Sequence, residues 1–265
     1  MQFTHQPKGP LASYVEKLWY CDGRGVVHRK MRVLPTRTFQ LVISLSDGPL
    51  RGPGGPRGEL GTNGRSLVVG IRSHFNVIDT ATLRSAMGVV FRPGGARSFF
   101  DASAEVFLNE SIPLELIWGT VANELCDRLR EATTAAEKFR VLEATLQFRM
   151  DKRIGLHAAV EFALDEFARV PHIRSVVGLA GDSGLGRRRF AQLFREQVGI
   201  TPKLYCRLQR FQDVVKQIRL GIPVNWAGVA LAGGYCDQAH MANEFRNFSG
   251  TSLSDYLANE RTNRN

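Results

Sequence analysis

Four polar side chains near residue 190 have the types and spacing needed for hydrogen bonding to nucleic-acid bases. They are Arg187, Arg188, Gln192 and Arg195. The apolar residues between them recur at steps of three and four, which predicts a helix with one buried side and the polar residues on the other. Arginine can form two hydrogen bonds with guanine, and glutamine can do the same with adenine. The pattern therefore predicts a recognition helix that enters the major groove of DNA.

The same residue pattern occurs a second time in the chain. The segment 194–205 reappears as 245–256, and each copy follows a short helical run, a glycine-centred turn and a second helix. This predicts two helix-turn-helix units in one polypeptide. Aligning the apolar residues of the two units, with one extra residue in the second turn, adds four candidate DNA contacts: Gln238, His240, Asn243 and Arg246. His240 could instead be a core histidine or an ion-pair partner.

Capping and turn residues set the expected helix limits. Ser175 and Asn225 are candidate caps of the first helix in each unit, Gly184 has the freedom needed for the first turn, and Asp237 is expected to cap the second recognition helix.

Between the units, a helix from Thr201-Pro202 to Leu220 would be roughly 18 residues and about 27 Å long. Such a helix would hold the units about one DNA turn apart. Its basic residues are expected on exposed sides, with Lys203 contacting phosphate.

Charge placement supports a nucleic-acid partner. The net charge is +10, and residues 174–219 contain ten Lys or Arg against three acids, whereas residues 220–265 contain three Arg against four acids. Neutralising phosphates requires clustered cations. We therefore expect the first unit to dominate electrostatic affinity and the second to act more through polar base contacts.

The rest of the chain predicts an α+β protein. Short β-branched runs at 33–34, 39–45, 67–71, 75–78 and 86–91 indicate a small β-barrel or sandwich. A stretch rich in Gly and Pro, 48–64, is expected to be a mobile loop. Helical stripes follow at 113–150, with Phe148 a candidate for the apolar side of the second helix. We place the β-rich regulatory or dimerisation domain at 1–150, a connecting helix and linker at 151–172, and the double helix-turn-helix domain at 173–260.

The C-terminal pattern resembles the AraC family of transcription regulators. The resemblance covers about 90 residues and includes 179–185, Phe194-Arg195, Thr201-Pro202, 230–240 and Phe245-Arg246. Two positions depart from the family: Gly186 replaces a capping serine, and Leu253 stands where a proline is common. The N-terminal part is similar to a sensor-like domain that precedes this module in some members. The resemblance implies sequence-specific promoter binding, controlled by an effector or partner at the N-terminal domain.

Other functions find less support in the sequence. The six histidines form no metal-binding cluster, no nucleophile elbow is present, and Cys21 lacks the neighbouring cysteines that alkyl transfer would need, so we expect no enzyme, cofactor or metal. The four cysteines are expected to be small buried thiols. No apolar run approaches the roughly 20 residues of a membrane span, and no secretory signal is visible, which predicts a cytoplasmic protein.

The sequence does not decide which partners the protein has besides DNA. An apolar small molecule in the strand domain would suit Trp19, Phe39, Phe75 and Phe91, although aromatic residues in a β domain are more often core. The N-terminal domain could instead bind another protein. The helices at 113–150 leave room for a homodimer, and RNA polymerase is a further candidate partner.

Overall fold

A computed structural model describes residues 1–23, 30–46, 48–53, 60–62, 64–169, 176–220 and 225–262. The N-terminal part contains ten strands in the described ranges: β1 Gln2–His5, β2 Val15–Asp22, β3 Lys30–Val33, β4 Gln40–Ser44, β5 Arg51–Pro53, β6 Leu60–Thr62, β7 Ser66–Val69, β8 Asn76–Asp79, β9 Ser85–Phe91 and β10 Ser111–Pro113. All strand pairs are antiparallel. The prediction of a β-rich N-terminal part followed by a helical module is confirmed.

The main sheet has six strands in the order β1-β2-β9-β4-β7-β10, and β3 pairs with β8 in a separate small sheet. A register shift between Val15 and Lys17 leaves Glu16 as an extra residue on β2. Beyond it, side chains alternate strictly, so Leu18 is buried in the core on one face and Trp19 points to the opposite face. The core face of the sheet thus packs on the helices, while the other face is left to line a cavity.

The helices follow in chain order: α1 Glu115–Trp118, α2 Thr120–Glu131, α3 Ala135–Arg149, α4 Ala158–Arg169, α5 Val176–Asp182, α6 Arg187–Val198, α7 Pro202–Leu220, α8 Trp226–Ala232, α9 Gln238–Ser249 and α10 Leu253–Thr262. None of the helices in the described ranges is long and apolar enough to cross a membrane. One hydrophobic core joins the sheet, α2 to α4 and the C-terminal helices. The two parts of the chain are therefore packed together.

Three expectations about the N-terminal part need correction. The segment 48–64 is not simply a loop, because β5 pairs with β6 inside it, with Gly52 opposite Gly61; backbone hydrogen bonds suffice for such a pair. Residues 54–59 and 63 lie outside the described part. The first of the helical stripes expected within 113–150 is divided into two helices, α1 and α2, at Gly119, whose φ of 60° interrupts the helix. Phe148 is 82% exposed and does not join the core.

The connection to the C-terminal module is described only in part. The connecting helix expected within 151–172 spans Ala158–Arg169. The expected end of the linker at residue 172 and the candidate cap Ser175 lie outside the described residues. The domain limits at 150 and 172 therefore stay predictions.

Candidate nucleic-acid interface

The two candidate recognition helices, α6 and α9, are equivalent in length and in burial. Each has 12 residues, and their first residues, Arg187 and Gln238, are 51 positions apart. The burial pattern repeats at the same offset: Phe190, Leu193, Phe194, Gln197 and Val198 are buried on α6, and Met241, Glu244, Phe245, Phe248 and Ser249 on α9. Both helices consequently leave the same side open to solvent.

Turn and cap chemistry orients the two helices as the sequence predicts. Gly184 and Gly234 adopt φ of 71° and 68° in the two turns, a backbone conformation that glycine takes at little cost. Asp237 caps α9, since its carboxylate accepts a hydrogen bond from the His240 backbone N–H at 2.6 Å. Gly186 starts α6 without a side-chain cap. The arginine-rich end of α6 therefore presents backbone N–H groups that no side chain of the capping residue satisfies.

The predicted residues of α6 lie on the open side of the helix. Arg187, Arg188 and Gln192 are exposed, and the Gln192 amide donates to Glu196 at 2.8 Å. Arg195 is also exposed, but its Nε lies 3.9 Å from a carboxylate oxygen of Glu105 in the N-terminal part. Arg187, Arg188 and Gln192 thus face solvent, and within the described residues no charged side chain of the N-terminal part pairs with them. Arg195 is loosely paired with Glu105.

On α9 the structure separates His240 from the other candidates. Gln238, Asn243 and Arg246 are exposed. The His240 ring is half-buried, packs edge-on against Tyr235 at 5.5 Å, and accepts a hydrogen bond from the Cys236 N–H through Nδ1 at 3.4 Å. The ring therefore supports the turn before α9 as well as lying near the candidate contact surface.

A buried ion cluster ties the second unit to α7, and sequence reasoning missed it. Glu244 is 4% exposed; it accepts from Arg207 at 2.7 Å and from Arg210 at 3.3 Å. The two guanidinium groups also stack over Phe248 and Tyr235. Arg207 and Arg210 are thus partly buried and paired, contrary to the expectation that the basic residues of this helix lie on exposed sides, whereas Lys203 is exposed as expected. The available signal was an acid at the position where the first repeat has Leu193.

The first unit is tied to α7 by aromatic packing instead. Tyr205 contacts Phe194 edge-on at 5.6 Å and stacks on Phe167 of α4 at 5.5 Å. Burial raises the pKa of the Tyr205 hydroxyl, and it also raises the pKa of the neighbouring Cys206 thiol to about 11. Both groups therefore stay protonated near neutral pH and serve packing.

The four cysteines are free thiols, and Cys236 is exposed, contrary to the prediction of small buried thiols.

The N-terminal part contacts both units at equivalent glycines. At the C-terminal end of α6, a Cβ on Gly199 would lie 3.0 Å from the Ala104 carbonyl oxygen and 3.1 Å from the Phe39 ring. At the C-terminal end of α9, a Cβ on Gly250 would lie 2.0 Å from the Phe75 ring. Because these glycines are also 51 positions apart, the N-terminal part touches the same point of each repeat.

A cavity of about 650 Å³, here called the sheet cavity, lies between the main sheet and the β3-β8 pair. Trp19 lies against Gly88 on its wall, and a Cβ on Gly88 would be 2.5 Å from that ring. Aliphatic side chains and polar ones, among them Thr38, Gln40 and Asp79, share the other walls. Arg72 lines the cavity too; it is 9% exposed, donates to the Asn109 carbonyl and the Ser111 hydroxyl, and burial lowers its pKa.

Of the four aromatic residues considered for a small molecule, only Trp19 lines the sheet cavity. Phe39 and Phe91 are buried in the core, and Phe75 packs on Gly250 instead. The cavity owes its polar character to residues that the sequence did not single out, among them Arg72 and Lys17. In the described part of the chain neither cation lies within ion-pair distance of a carboxylate, although Glu110 attracts Arg72 and the carboxylate of Asp79 lines the same cavity.

Two families match the chain. Residues 3–113 match a domain of unknown function (DUF6597), and residues 179–259 match a helix-turn-helix domain. No curated protein matches the chain. Among solved structures, the DNA-binding domain of AdpA, a global transcriptional factor in complex with a target DNA, is 21% identical; the match covers 41% of this chain and 97% of that one, with a TM-score of 0.38.

ToxT from Vibrio cholerae is similar over more of the chain. An apo ToxT variant is 10% identical, with 93% of this chain and 97% of that chain covered and a TM-score of 0.49. ToxT with a bound unsaturated fatty acid is 8% identical, with 91% and 93% covered and a TM-score of 0.45.

The helix-turn-helix match spans both units and the helix that joins them. With the equivalent helices α6 and α9 in the two units, it identifies the chain as a DNA-binding transcription regulator. The matched domain is of the AraC type, so the resemblance of the C-terminal module to the AraC family, predicted from the sequence, is confirmed for residues 179–259. Regulators of this type are generally not enzymes.

Proposed function

We propose that α6 and α9 read adjacent major grooves of a promoter site. The observation that carries this proposal is the equivalent burial of the two helices, which leaves matching polar sides open. The proposed contacts are Arg187, Arg188, Gln192 and Arg195 on α6, Gln238, His240, Asn243 and Arg246 on α9, and Lys203 to phosphate. Arginine, glutamine and asparagine are the side chains that bind base edges in pairs of hydrogen bonds.

Small residues at one position of each helix favour close approach to DNA. Ala191 on α6 and Ala242 on α9 are again 51 positions apart, and both are half-buried on the margin of the open side. A methyl group there lets the helix lie deep in the groove, so that longer neighbours reach the bases. The 19 residues of α7 rise about 28 Å, which suits two units that contact grooves one turn apart on the same side of a duplex.

The DNA function is tested by selecting bound duplexes from a random library and measuring affinity by fluorescence anisotropy. At physiological ionic strength, the selected duplex is expected to bind at least about a thousandfold more tightly than a scrambled duplex of equal length. Equal binding of both duplexes would contradict sequence-specific reading and leave only attraction to phosphate.

We also propose that the sheet cavity binds a small effector with an apolar body and an anionic group. Most of the wall surface is apolar, with Trp19 on one side, and Lys17 and Arg72 line the cavity against one carboxylate, Asp79.

Arg72 is buried and is attracted by Glu110, but no carboxylate among the described residues lies within ion-pair distance of it. A buried charge is stabilised by strong hydrogen bonds or by an opposite charge, and Arg72 has hydrogen bonds to Asn109 and Ser111 but no opposite charge in direct contact among the described residues. An anionic ligand would supply that charge.

A matched pair of probes tests the cavity proposal: 2-naphthoate and its neutral amide, 2-naphthamide, in a thermal-shift titration. The carboxylate is expected to raise the melting temperature progressively with concentration and more than the amide does. Arg72→Gln should remove the difference while keeping the response to the amide. If neither probe stabilises the protein and a stable protein partner is captured instead, a protein-binding N-terminal domain becomes the better account.

Two further partners belong to the proposal. We propose a homodimer that uses the exposed side of α3, where Phe148 is 82% exposed, and contact with RNA polymerase at the promoter. Sedimentation equilibrium of the wild-type protein and Phe148→Ala tests the first partner: a dimer weakened by the substitution supports it, and a wild-type monomer at all concentrations contradicts it.

A further inference from the structure

An acidic residue lies among the arginines at the open side of α6. Glu196 is half-buried in the last turn of the helix, one turn after Gln192, and its Oε1 accepts a hydrogen bond from the Gln192 Nε2 at 2.8 Å. Residues four apart are neighbours on a helix surface, so this contact forms without any change in the backbone. The amide that we propose to read a base is therefore already bound to a carboxylate before DNA arrives.

The position of Glu196 is unfavourable for a carboxylate in two respects. The C-terminal end of a helix carries partial negative charge, which repels an acid in the last turn. The phosphates of DNA would repel it as well when α6 enters a groove. Within the described residues, its hydrogen-bond partner is Gln192. The placement of this charge points to a role that depends on Gln192.

A carboxylate restricts which way round the Gln192 amide can lie. An ionised carboxylate only accepts hydrogen bonds, so the amide nitrogen must face Glu196, whereas the reversed amide would bring two oxygens together. The second N–H and the Oε1 of Gln192 stay available for DNA. Adenine presents an acceptor and a donor side by side in the major groove, so one fixed amide orientation matches an A·T pair in one direction. The reversed amide would match the inverted T·A pair.

We infer that Glu196 is a positioning residue that fixes the orientation of the Gln192 amide and thereby sets the preference of α6 for an A·T pair over the inverted T·A pair. The inference rests on the proposed function in taking Gln192 as a base contact. Glu196 acts through Gln192 and contacts no base itself. Because its charge repels phosphate, Glu196 contributes to discrimination between bases and not to affinity.

The second unit has neutral residues at the equivalent positions of α9, Asn243 and Asn247, and both are exposed. An amide can donate or accept, so Asn247 is compatible with either orientation of the Asn243 amide. We therefore expect a strict base preference opposite Gln192 and a looser one opposite Asn243. Asn247 also supplies a matched control, because it has the same place on its helix as Glu196.

The test uses anisotropy titrations of the full chain with the selected duplex, its single-base variants and a scrambled duplex. The base pair read by Gln192 is the one at which Gln192→Ala loses its preference. Glu196→Gln keeps the size of the side chain but accepts either amide orientation, and Glu196→Ala removes the partner. Asn247→Ala is the control in the second unit, and Glu105→Gln removes the carboxylate beside Arg195 without touching Gln192. Cooperative melting establishes that each variant is folded.

At the Gln192 position, the wild-type protein is expected to bind A·T on the order of tenfold more tightly than T·A. Glu196→Gln and Glu196→Ala should reduce this ratio by about threefold or more without weakening binding to the scrambled duplex. Asn247→Ala and Glu105→Gln should leave the ratio unchanged. In a Gln192→Ala background, Glu196→Gln should no longer alter any base preference.

Four results would overturn the inference. They are a preference for another base pair at the Gln192 position, an unchanged ratio in both Glu196 variants, equal weakening of the selected and scrambled duplexes by these variants, and an effect of Glu196→Gln that persists in the Gln192→Ala background. The last result would make Glu196 a direct base contact. Equal binding of both duplexes by the wild-type protein is a separate result, which refutes the proposed function and removes the basis of this inference.

The restraint on the amide is also measurable without DNA, by nuclear magnetic resonance of the side-chain amide protons. The two Nε2 protons of Gln192 are assigned by their loss in Gln192→Ala. In Glu196→Ala they are expected to move to the chemical shifts of an exposed glutamine, since the hydrogen bond is lost. Wild-type signals that already have these shifts would show that Glu196 does not hold the amide.

Discussion

The ring of Phe75 lies directly over Gly250, so closely that a Cβ on this glycine would be 2.0 Å from the Phe75 Cε1. Gly250 also closes α9, with φ of 69° and its N–H bonded to the Arg246 carbonyl at 2.8 Å. The glycine therefore meets two demands at once: a left-handed helix end and a bare surface on which the N-terminal part can lie.

The double role of Gly250 predicts that Gly250→Ala destabilises the protein more than Gly184→Ala does. Gly184 has nearly the same φ, 71°, but a Cβ on it would have no neighbour within 4 Å, so its substitution adds backbone strain alone, about 1–2 kcal/mol. Urea denaturation measures both free energies of unfolding. In a Phe75→Ala background the two costs should become similar, and an excess cost of Gly250→Ala that persisted there would mean that the ring contact is not its cause.

Base contacts and phosphate contacts are expected to respond differently to substitution. Arg188→Ala or Gln238→Ala should relax the base preference at one position of the selected site, costing roughly 1–3 kcal/mol there. Lys203→Ala should weaken binding to all sequences alike. It should also reduce the slope of log binding constant against log salt concentration by about one, the value for one lost phosphate contact. Anisotropy titrations over a panel of single-base variants at several salt concentrations measure both effects. Uniform losses for all three substitutions would refute the assignment of base contacts.

Removal of the Glu244 charge should loosen the second unit. In Glu244→Gln, Arg207 and Arg210 stay close together without the carboxylate that pairs with both. We expect the free energy of unfolding to fall by about 3 kcal/mol, the low end of the range for a buried ion pair, because Arg207 is 35% exposed. Glu105→Gln is the matched control: its partner Arg195 is 3.9 Å away and both side chains are nearly half-exposed, so the cost should be below about 1 kcal/mol. If urea denaturation gave equal losses of unfolding free energy for Glu244→Gln and Glu105→Gln, the ion cluster would not be what holds the second unit to α7.

Thiol labelling offers a local test of the interface, since Cys236 is exposed in the turn just before α9. The thiolate is the reactive form. Burial raises the pKa of Cys206 to about 11, so this thiol stays protonated at neutral pH and its labelling should rise only as the pH approaches that value. A maleimide near pH 7 should therefore modify Cys236 first, as identified by peptide mass spectrometry. The selected duplex should slow this reaction several-fold; an unchanged rate would place the turn away from DNA.

The C-terminal module was largely predictable because its signals are local. The helix caps at Asn225 and Asp237, the turn glycine Gly184 and the apolar spacing of α6 each depend on a few neighbouring residues, and the structure confirms them. Glu244 was missed because its two partners lie more than 30 residues away on α7. Spacing on one helix carries no information about a charge on another.

The N-terminal part was less predictable for the same reason. The strand signals located β4, β7, β8 and β9 to within a residue or two, but β1 has little apolar alternation and forms because it pairs with β2. The sheet cavity depends on the register that places Gly88 opposite Trp19. The contacts of Phe39 and Phe75 with two glycines of the other module are tertiary facts that no local pattern encodes.

Hydroxyl-radical footprinting of the selected duplex tests the central claim most directly. If α6 and α9 read adjacent major grooves, protection is expected in two windows on one side of the duplex, centred about 10–10.5 base pairs apart. Arg188→Ala should weaken one window and Gln238→Ala the other. Protection over a single groove, or loss of the same window in both variants, would contradict the claim.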